Sequence, residues 1–285
     1  MADDSKESLH PKSIQVQGAG GLRLNVWDHG DDGTPLLLAH CTGTHARIWD
    51  PLLEGLRTDF RIYAVDTRAH GESHHPDSDD GFAWNLSGED LLHVVDALSL
   101  GPGLLAAGHS AGAAHICYAE LQRPGAFAKA VLIDPVIAPP DAYTKATPLV
   151  ESARRRKNRF DTLAEAEGRY ASKPPMNTWD PAVRTAYINH AFKTTADGSV
   201  TLKCPGPTEA KFYAHGGSTD IFRRLGEIQT EVLLVTAEHS NLRPFVTLQN
   251  AQFTDNTFHE FQNTSHFIPQ EKILETAALI RDFLV

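Results

Sequence analysis

Gly108-His109-Ser110-Ala111-Gly112 is the stretch of this chain best suited to nucleophilic chemistry. A strand-like apolar run at 104–107 leads into it, and helical spacing over 111–121 leads out. The five residues fit G-x-S-x-G, a tight strand-to-helix turn that lifts a serine hydroxyl above a sheet. The helix dipole and free amides at that point favour developing negative charge. The turn is tight enough that Gly108 and Gly112 have to be small. A glycine-rich turn with a capping serine is the plainer alternative, since the pentapeptide alone recurs by chance. The strand and helix on its flanks decide for a nucleophile.

A serine hydroxyl needs a base. The chain has 15 histidines, so abundance cannot choose among them. His266 lies in Gln262-Asn263-Thr264-Ser265-His266-Phe267-Ile268-Pro269, a loop between the last strand and the closing helix. The chain order serine, acid, histidine puts the base there. His10, His74, His75 and His259 read as loop or surface residues, and His115, on the helix after the turn, as a packed one. An acid has to orient the imidazole, and two carboxylates stand at strand ends. Asp134 follows the strand 130–133 and is the first choice; Glu238 follows the strand 232–236 and is the alternative. Their bland readings are a turn residue before Pro135 and a surface carboxylate. Two amides must hold an oxyanion. Ala111 supplies one, and the loop His40-Cys41-Thr42-Gly43-Thr44-His45 the other, with Thr42 preferred and Cys41 next. Cys41 lacks the tight turn that would make it a nucleophile.

The elements that must position these residues alternate along the chain. Segments 13–17 and 22–27 read as a hairpin around Gly18-Ala19-Gly20-Gly21. Strands are expected at 36–39, 61–65, 104–107, 130–133, 232–236 and 257–261, and helices at 48–56, 86–98, 111–121, 245–251 and 272–284. Such alternation implies a mostly parallel sheet covered on both faces, with ligands beyond the carboxyl ends of its strands. The pattern breaks over 136–225, which is rich in proline, charge and aromatics and reads as several short helices. This divides the chain into a core of residues 1–135 and 226–285 and a helical lid of residues 136–225. The lid aromatics Tyr143, Tyr170, Trp179, Phe192, Phe212 and Phe222 either face a substrate or form the lid's own core.

Composition narrows the class. Of 285 residues, 41% are apolar and 22% charged, which excludes a disordered chain or a disulfide scaffold. The 26 basic and 36 acidic residues leave a net charge of −10, which argues against nucleic acid or anionic lipid as a partner. The run Arg154-Arg155-Arg156-Lys157 with Arg159 reads as a solvated helix face. Cys41, Cys117 and Cys204 show no metal-ligand or disulfide spacing, and an odd count fits a reducing, cytoplasmic setting. The polar start, Met1 to Ser8, is no secretory signal, and no stretch is long and apolar enough for a membrane helix. No phosphate loop, dinucleotide fingerprint or H-E-x-x-H is present, so neither metal nor cofactor is expected. The sequence carries no signal for oligomeric state.

Taken together, these motifs resemble the α/β-hydrolase superfamily across nearly the whole chain. The resemblance rests on His40–Thr44, on the turn from Asp66 through Arg68, His70, Gly71 and Ser73, on the elbow at Ser110 and on His266-Phe267. It is nearest to poorly characterised serine hydrolases of microbes and fungi with a His-Ala-Thr-Gly loop and an acid before proline. Here these are His40-Cys41-Thr42-Gly43 and Asp134-Pro135. Zearalenone lactonases and haloalkane dehalogenases similarly carry the acid after that strand. In many other relatives an aspartate stands two residues beyond the Glu238 position, where this chain has Ser240. Cys41 replaces the usual second glycine of the oxyanion loop. Haloalkane dehalogenases and epoxide hydrolases use an aspartate nucleophile, which Ser110 excludes.

The resemblance implies an α/β-hydrolase fold with an antiparallel edge hairpin, a helical lid and a serine triad, with Asp66 and Arg68 as scaffold. The expected activity is cleavage of a carboxylic ester or lactone of a small molecule with an apolar group. A carbon–carbon bond hydrolase using the same triad and a hydrolase-like binding protein without turnover are the alternatives.

Overall fold

The chain is described by a computed structural model over residues 11–30, 32–142, 148–216 and 220–285. His10, Tyr143 and the polar start lie outside the described residues. The first strands are β1 (Lys12–Gln17), β2 (Arg23–Asp28), β3 (Thr34–Ala39) and β4 (Phe60–Asp66). A 3-10 helix, Ala46–Gly55, joins β3 to β4 and contains Pro51. Helix α1 (Trp84–Ala97), β5 (Leu105–His109), α2 (Ala111–Gln122) and β6 (Lys129–Ile133) follow.

Between β6 and the next strand of this sheet the chain departs from the sequence reading. Helices α3 (Pro148–Arg154), α4 (Leu163–Ala171), α5 (Pro181–Ala191), α6 (Gly206–His215) and α7 (Ile221–Arg224) are short, as expected. They alternate, however, with a three-stranded antiparallel sheet of β7 (Arg159–Phe160), β8 (Phe192–Thr194) and β9 (Val200–Leu202), in the order β7-β9-β8. Strands of two or three residues are too short to show a period of two, so the reading of 136–225 as helices alone is corrected. The turn between β8 and β9 is tied by Thr195 and Ser199 to the Asp197 carboxylate, with Gly198 at φ 84°. The main sheet then closes with β10 (Glu231–Ala237), α8 (Arg243–Asn250), β11 (Asn256–Phe261), α9 (Ile268–Glu271) and α10 (Ile273–Leu284).

The main sheet has eight strands in the order β1-β2-β4-β3-β5-β6-β10-β11. β2 runs against β1 and β4, and the pairs from β4 to β11 are parallel. Strand side chains alternate between faces, and here both faces are buried. Leu37, Ala130, Leu132, Val232 and Leu234 join a core under α1 and α2. Leu36, Leu38, Val131, Ile133, Leu233 and Val235 join the opposite core with Trp49, Leu52 and Ile280. This is why 36–39 is a continuous apolar run rather than an alternating one. Each such aliphatic side chain contributes about 1.5–3 kcal/mol through its burial. Among the described residues no helix is long and apolar enough to cross a membrane.

The aromatics of 136–225 are largely spent on packing. Phe160, Tyr170 and Phe192 meet one another, Tyr187 meets Tyr170 and Trp179, and Phe212 meets His70 and Phe82. Phe222 lies against the core under α1 and α2.

Register puts the carboxyl ends of four neighbouring strands side by side. Ala39 pairs with Gly108, His109 with Ile133, and Ile133 with Val235. The helix leaving β5 is pressed against β3. A Cβ on Gly112 would stand 2.3 Å from the Ala39 carbonyl oxygen and 2.8 Å from that of His40, and one on Gly108 would stand 2.6 Å from the Ala113 nitrogen. In an open helix glycine to alanine gains about 1 kcal/mol. Here the clash is with backbone and reverses the sign. Gly112→Ala should lower the melting temperature by roughly 5–10 °C in a circular-dichroism melt, the response to a few kcal/mol of overpacking. An unchanged melt would show that α2 does not press on β3.

Candidate active site

The Ser110 backbone sits at φ 59°, ψ −116°, a conformation that non-glycine residues seldom adopt and that the strand and helix on either side enforce. The Ser110 N–H donates to the Ile133 carbonyl at 2.8 Å, which ties the turn to the neighbouring strand. Asp134 follows Ile133 and is fully buried, also at positive φ (45°), where aspartate is tolerated better than most residues. Its N–H donates to the Val235 carbonyl at 2.7 Å.

His266 bridges the two. Its Nδ1 lies 2.6 Å from Asp134 Oδ2, and its Nε2 lies 3.0 Å from Ser110 Oγ. An ionised carboxylate only accepts, so Nδ1 carries the hydrogen and Nε2 offers its lone pair to the serine hydroxyl. The remaining Asp134 capacity is taken by hydroxyls. Thr236 Oγ1 donates to Oδ1 at 2.7 Å, and Ser240 Oγ donates to Oδ2. A carboxylate removed from water is stabilised only by such donors. Ser240, where the resemblance leads one to expect an aspartate, here donates to the carboxylate on the neighbouring strand. Neither Thr236 nor Ser240 was singled out as a functional residue from the sequence. The aspartate absent at position 240 was the available signal.

Glu238 does not share in this chain of bonds. Its carboxylate accepts the Asn263 N–H at 2.9 Å and is 39% exposed. It shapes the start of the loop that carries His266 and, among the described residues, meets the His266 ring through no hydrogen bond or ion pair. The structure thus places the alternative acid at the start of the loop and not on the His266 ring. The Glu238 carboxylate is turned to the Asn263 amide, while Asp134, at the end of the strand beside β5, meets the His266 ring.

The loop after β3 is braced by two buried histidines. His70 Nε2 accepts the Gly43 N–H at 3.0 Å while Nδ1–H donates to the Arg68 carbonyl at 3.0 Å. His40 Nε2 accepts the Thr67 N–H at 3.0 Å while Nδ1–H donates to the Cys41 carbonyl at 2.8 Å. Both rings are thereby fixed as neutral Nδ1–H tautomers. Gly43 turns at φ 80°, and a Cβ there would meet Glu209 at 2.7 Å. With the Gly43 amide given to His70 and that of Thr44 to Cys41, the amides of Thr42 and Ala111 have no acceptor among the described residues. Asp66 accepts from the Ala46 and Glu72 amides and from Asn25 and Trp27, and Arg68 forms a two-point pair with Asp90 at 2.7 Å. Both are scaffold, as read from the sequence.

The basic run is a second correction. Arg154, Arg155 and Lys157 are exposed, but the Arg156 side chain is only 17% exposed. It pairs with Glu209 at 2.6 Å and donates to Tyr187 Oη at 2.5 Å, and Tyr187 in turn reaches the Gly43 carbonyl at 3.4 Å. The run passes the end of α3, so its residues do not share one helix face.

Burial, the main cause in each case, lowers His40 to about 4 and His29, His70 and His115 to about 3. In the unfolded chain these groups would take a proton near pH 6.5. Between that value and their folded values the unfolded state binds more protons. Each histidine then withdraws about 1.4 kcal/mol of stability per pH unit as the pH falls. Burial raises Asp50, Asp66 and Asp90, which titrate in the opposite sense and offset part of the loss. The melting temperature should be full above pH 6.5 and drop by roughly 10 °C or more between pH 7 and pH 5. A flat melting temperature across that range would contradict neutral, buried histidines.

The arrangement can pass a proton from a serine hydroxyl to an imidazole backed by a carboxylate. The chain is 26% identical over 242 residues to a 2-(acetamidomethylene)succinate hydrolase of Mesorhizobium japonicum, covering 85% of this chain and 82% of that one. It is 30% identical over 89 residues to 3-oxoadipate enol-lactonase 1 of Acinetobacter baylyi, a stretch that spans 31% of this chain and 32% of the lactonase. Among solved structures, that of E-2-(acetamidomethylene)succinate hydrolase superposes with a TM-score of 0.81 at 21% identity, covering 96% of this chain and 99% of that one. A thermophilic esterase from Thermogutta terrifontis superposes with a TM-score of 0.73 at 17% identity, covering 96% and 98%. At these identities the structural likeness carries the fold. The model of the alpha/beta hydrolase family matches residues 36–279, and the chain belongs to that family.

Proposed function

We propose that the chain is a serine hydrolase that cleaves a carboxylic ester or lactone of a small molecule through an acyl-enzyme. One observation carries the reading: Ser110 Oγ, the His266 ring and the buried Asp134 carboxylate form a continuous hydrogen-bonded chain at 3.0 and 2.6 Å. Ser110 attacks the carbonyl carbon as His266 Nε2 takes its proton. Asp134 holds the tautomer and stabilises the imidazolium. The amides of Thr42 and Ala111 receive the oxyanion. The imidazolium then protonates the departing alkoxide, which in a lactone stays tethered to the acyl group. Water, deprotonated by the same ring, frees Ser110.

The segment 136–225 serves as a lid in this reading. Its Trp179 meets Phe267 at 5.4 Å between ring centres, and Phe267 meets the His266 ring at 5.2 Å, which favours an apolar group beside the base. Two relatives support the ester and lactone class through their names. They are the enol-lactonase of Acinetobacter baylyi and protein phosphatase methylesterase 1 of Rattus norvegicus, 36% identical over 108 residues that span 28% of that protein. Three buried, unpaired cysteines fit a reducing cytoplasm, and a net charge of −10 fits neither nucleic acid nor an anionic membrane as partner.

The test is hydrolysis of p-nitrophenyl acetate and butyrate and of a lactone panel, with Ser110→Ala as control. Ser110→Ala should abolish turnover and labelling by a fluorophosphonate probe while its circular dichroism stays native. Labelling that persists in the variant would remove Ser110 as nucleophile. Turnover of a β-diketone panel without ester or lactone turnover would move the reading to a carbon–carbon bond hydrolase.

The acid has its own test. Asp134→Asn should lower kcat by about 10⁴-fold, because an amide in its place no longer favours the productive tautomer. Glu238→Gln, which keeps an acceptor for Asn263, should cost less than about tenfold, roughly one neutral hydrogen bond's worth. The reverse ranking in two folded variants would make Glu238 the acid.

A further inference from the structure

The residue before the nucleophile has a role that neither the motif nor the triad uses. His109 ends β5 and is completely buried. Its Nε2–H donates to the backbone carbonyl of His266 at 2.8 Å, and its ring lies 4.9 Å from the His266 ring at 37°. Among the described residues it is the donor to that carbonyl. The Nδ1 of His109 is buried without a partner. A buried acceptor left unpaired costs about 1–3 kcal/mol, so packing alone would favour an apolar residue here. What favours histidine is the bond made by its other nitrogen.

The His266 ring has no further hydrogen bond with which to fix itself. Nδ1 is engaged by Asp134 and Nε2 by Ser110. Its placement therefore depends on its backbone. On one side the loop is anchored to its own following helix, by the Ser265 amide and hydroxyl to Glu271. On the other it needs a tie to the strand that carries Ser110, and His109 is that strand's last residue.

We propose that His109 is a positioning residue: its Nε2–H bond to the His266 carbonyl sets the reach of the His266 ring to Ser110. This rests on the reading of Ser110, His266 and Asp134 as a triad. Burial, with the neighbouring His266 next, holds the His109 imidazole well below its usual titration range, so it stays a neutral single donor.

The test compares His109→Phe, which keeps an aromatic ring and removes the donor, with His109→Gln, which keeps a donor at a similar reach. The first readout is the rate of fluorophosphonate labelling of Ser110. The second is the low-field proton resonance of His266 Nδ1–H, which reports the ring directly. His109→Phe should label roughly 10–100-fold more slowly, the scale of a misplacement of about 1 Å. Its low-field resonance should broaden through exchange, while its melting temperature is equal to or above wild type. His109→Gln should recover most of the rate and the sharp resonance. Wild-type rate and resonance in His109→Phe would overturn the proposal, as would equal losses in both variants. Should His109→Phe fail to fold, His109→Gln is compared with His109→Leu on the same two readouts. If the wild type itself does not label at Ser110, the triad reading fails, and an unchanged resonance in His109→Phe then overturns this proposal separately.

Discussion

The hydrogen bond between His266 and Asp134, 2.6 Å long with a fully buried acceptor, sets terms that much of the surrounding structure meets. A carboxylate removed from water has to be given donors, or its charge would be intolerable. Thr236 and Ser240 on and beyond β10 supply them, and the imidazole completes the set. That requirement joins three neighbouring strand ends. β5 presents the serine, β6 the carboxylate, and β10 and the turn after it the hydroxyls that donate to the carboxylate. The parallel register between Ile133, His109 and Val235 places those ends level.

Where the Asp134 carboxylate stands also explains what surrounds it. With the carboxylate at the end of β6, the position beyond β10 is free to become a donor, and Ser240 fills it. Glu238 is left to anchor Asn263 at the start of the loop that brings His266 back over the sheet. The two carboxylates therefore have separate tasks on one edge: one faces the His266 ring and the other shapes its loop.

Neutral buried histidines recur as braces. His40 and His70 each accept a backbone N–H through Nε2 and donate through Nδ1, which lets one side chain satisfy a donor and an acceptor of irregular backbone at once. Such a brace works only without charge, since a proton on Nε2 would turn acceptor into donor against the Gly43 or Thr67 amide. Burial keeps them neutral. Above this loop Arg156 and Glu209 form a pair from the segment 136–225 and, through Tyr187, reach Gly43. The loop is thus held by His40 and His70 on one side and by Tyr187 on another.

Much of this was open to reading in one dimension, and the reasons are physical. Apolar runs at 36–39 and 130–133 mark strands buried on both faces, because no polar residue is tolerated on either side. Gly108 and Gly112 mark an elbow because a Cβ at either would strike backbone. The late loop histidine follows from chain order, which leaves two strand-end carboxylates between it and the serine. Other features have no local signature. β7, β8 and β9 are too short for a period, and the burial of Arg156 depends on Glu209, far along the chain. Which of Asp134 and Glu238 meets the His266 ring is set by the folded strand ends and the loop at Asn263. Residue types and their spacing determined which groups could react. Only the register of the folded sheet decided which of them meet, because hydrogen bonds of 2.6 to 3.0 Å between residues more than a hundred positions apart are set by packing and not by sequence distance.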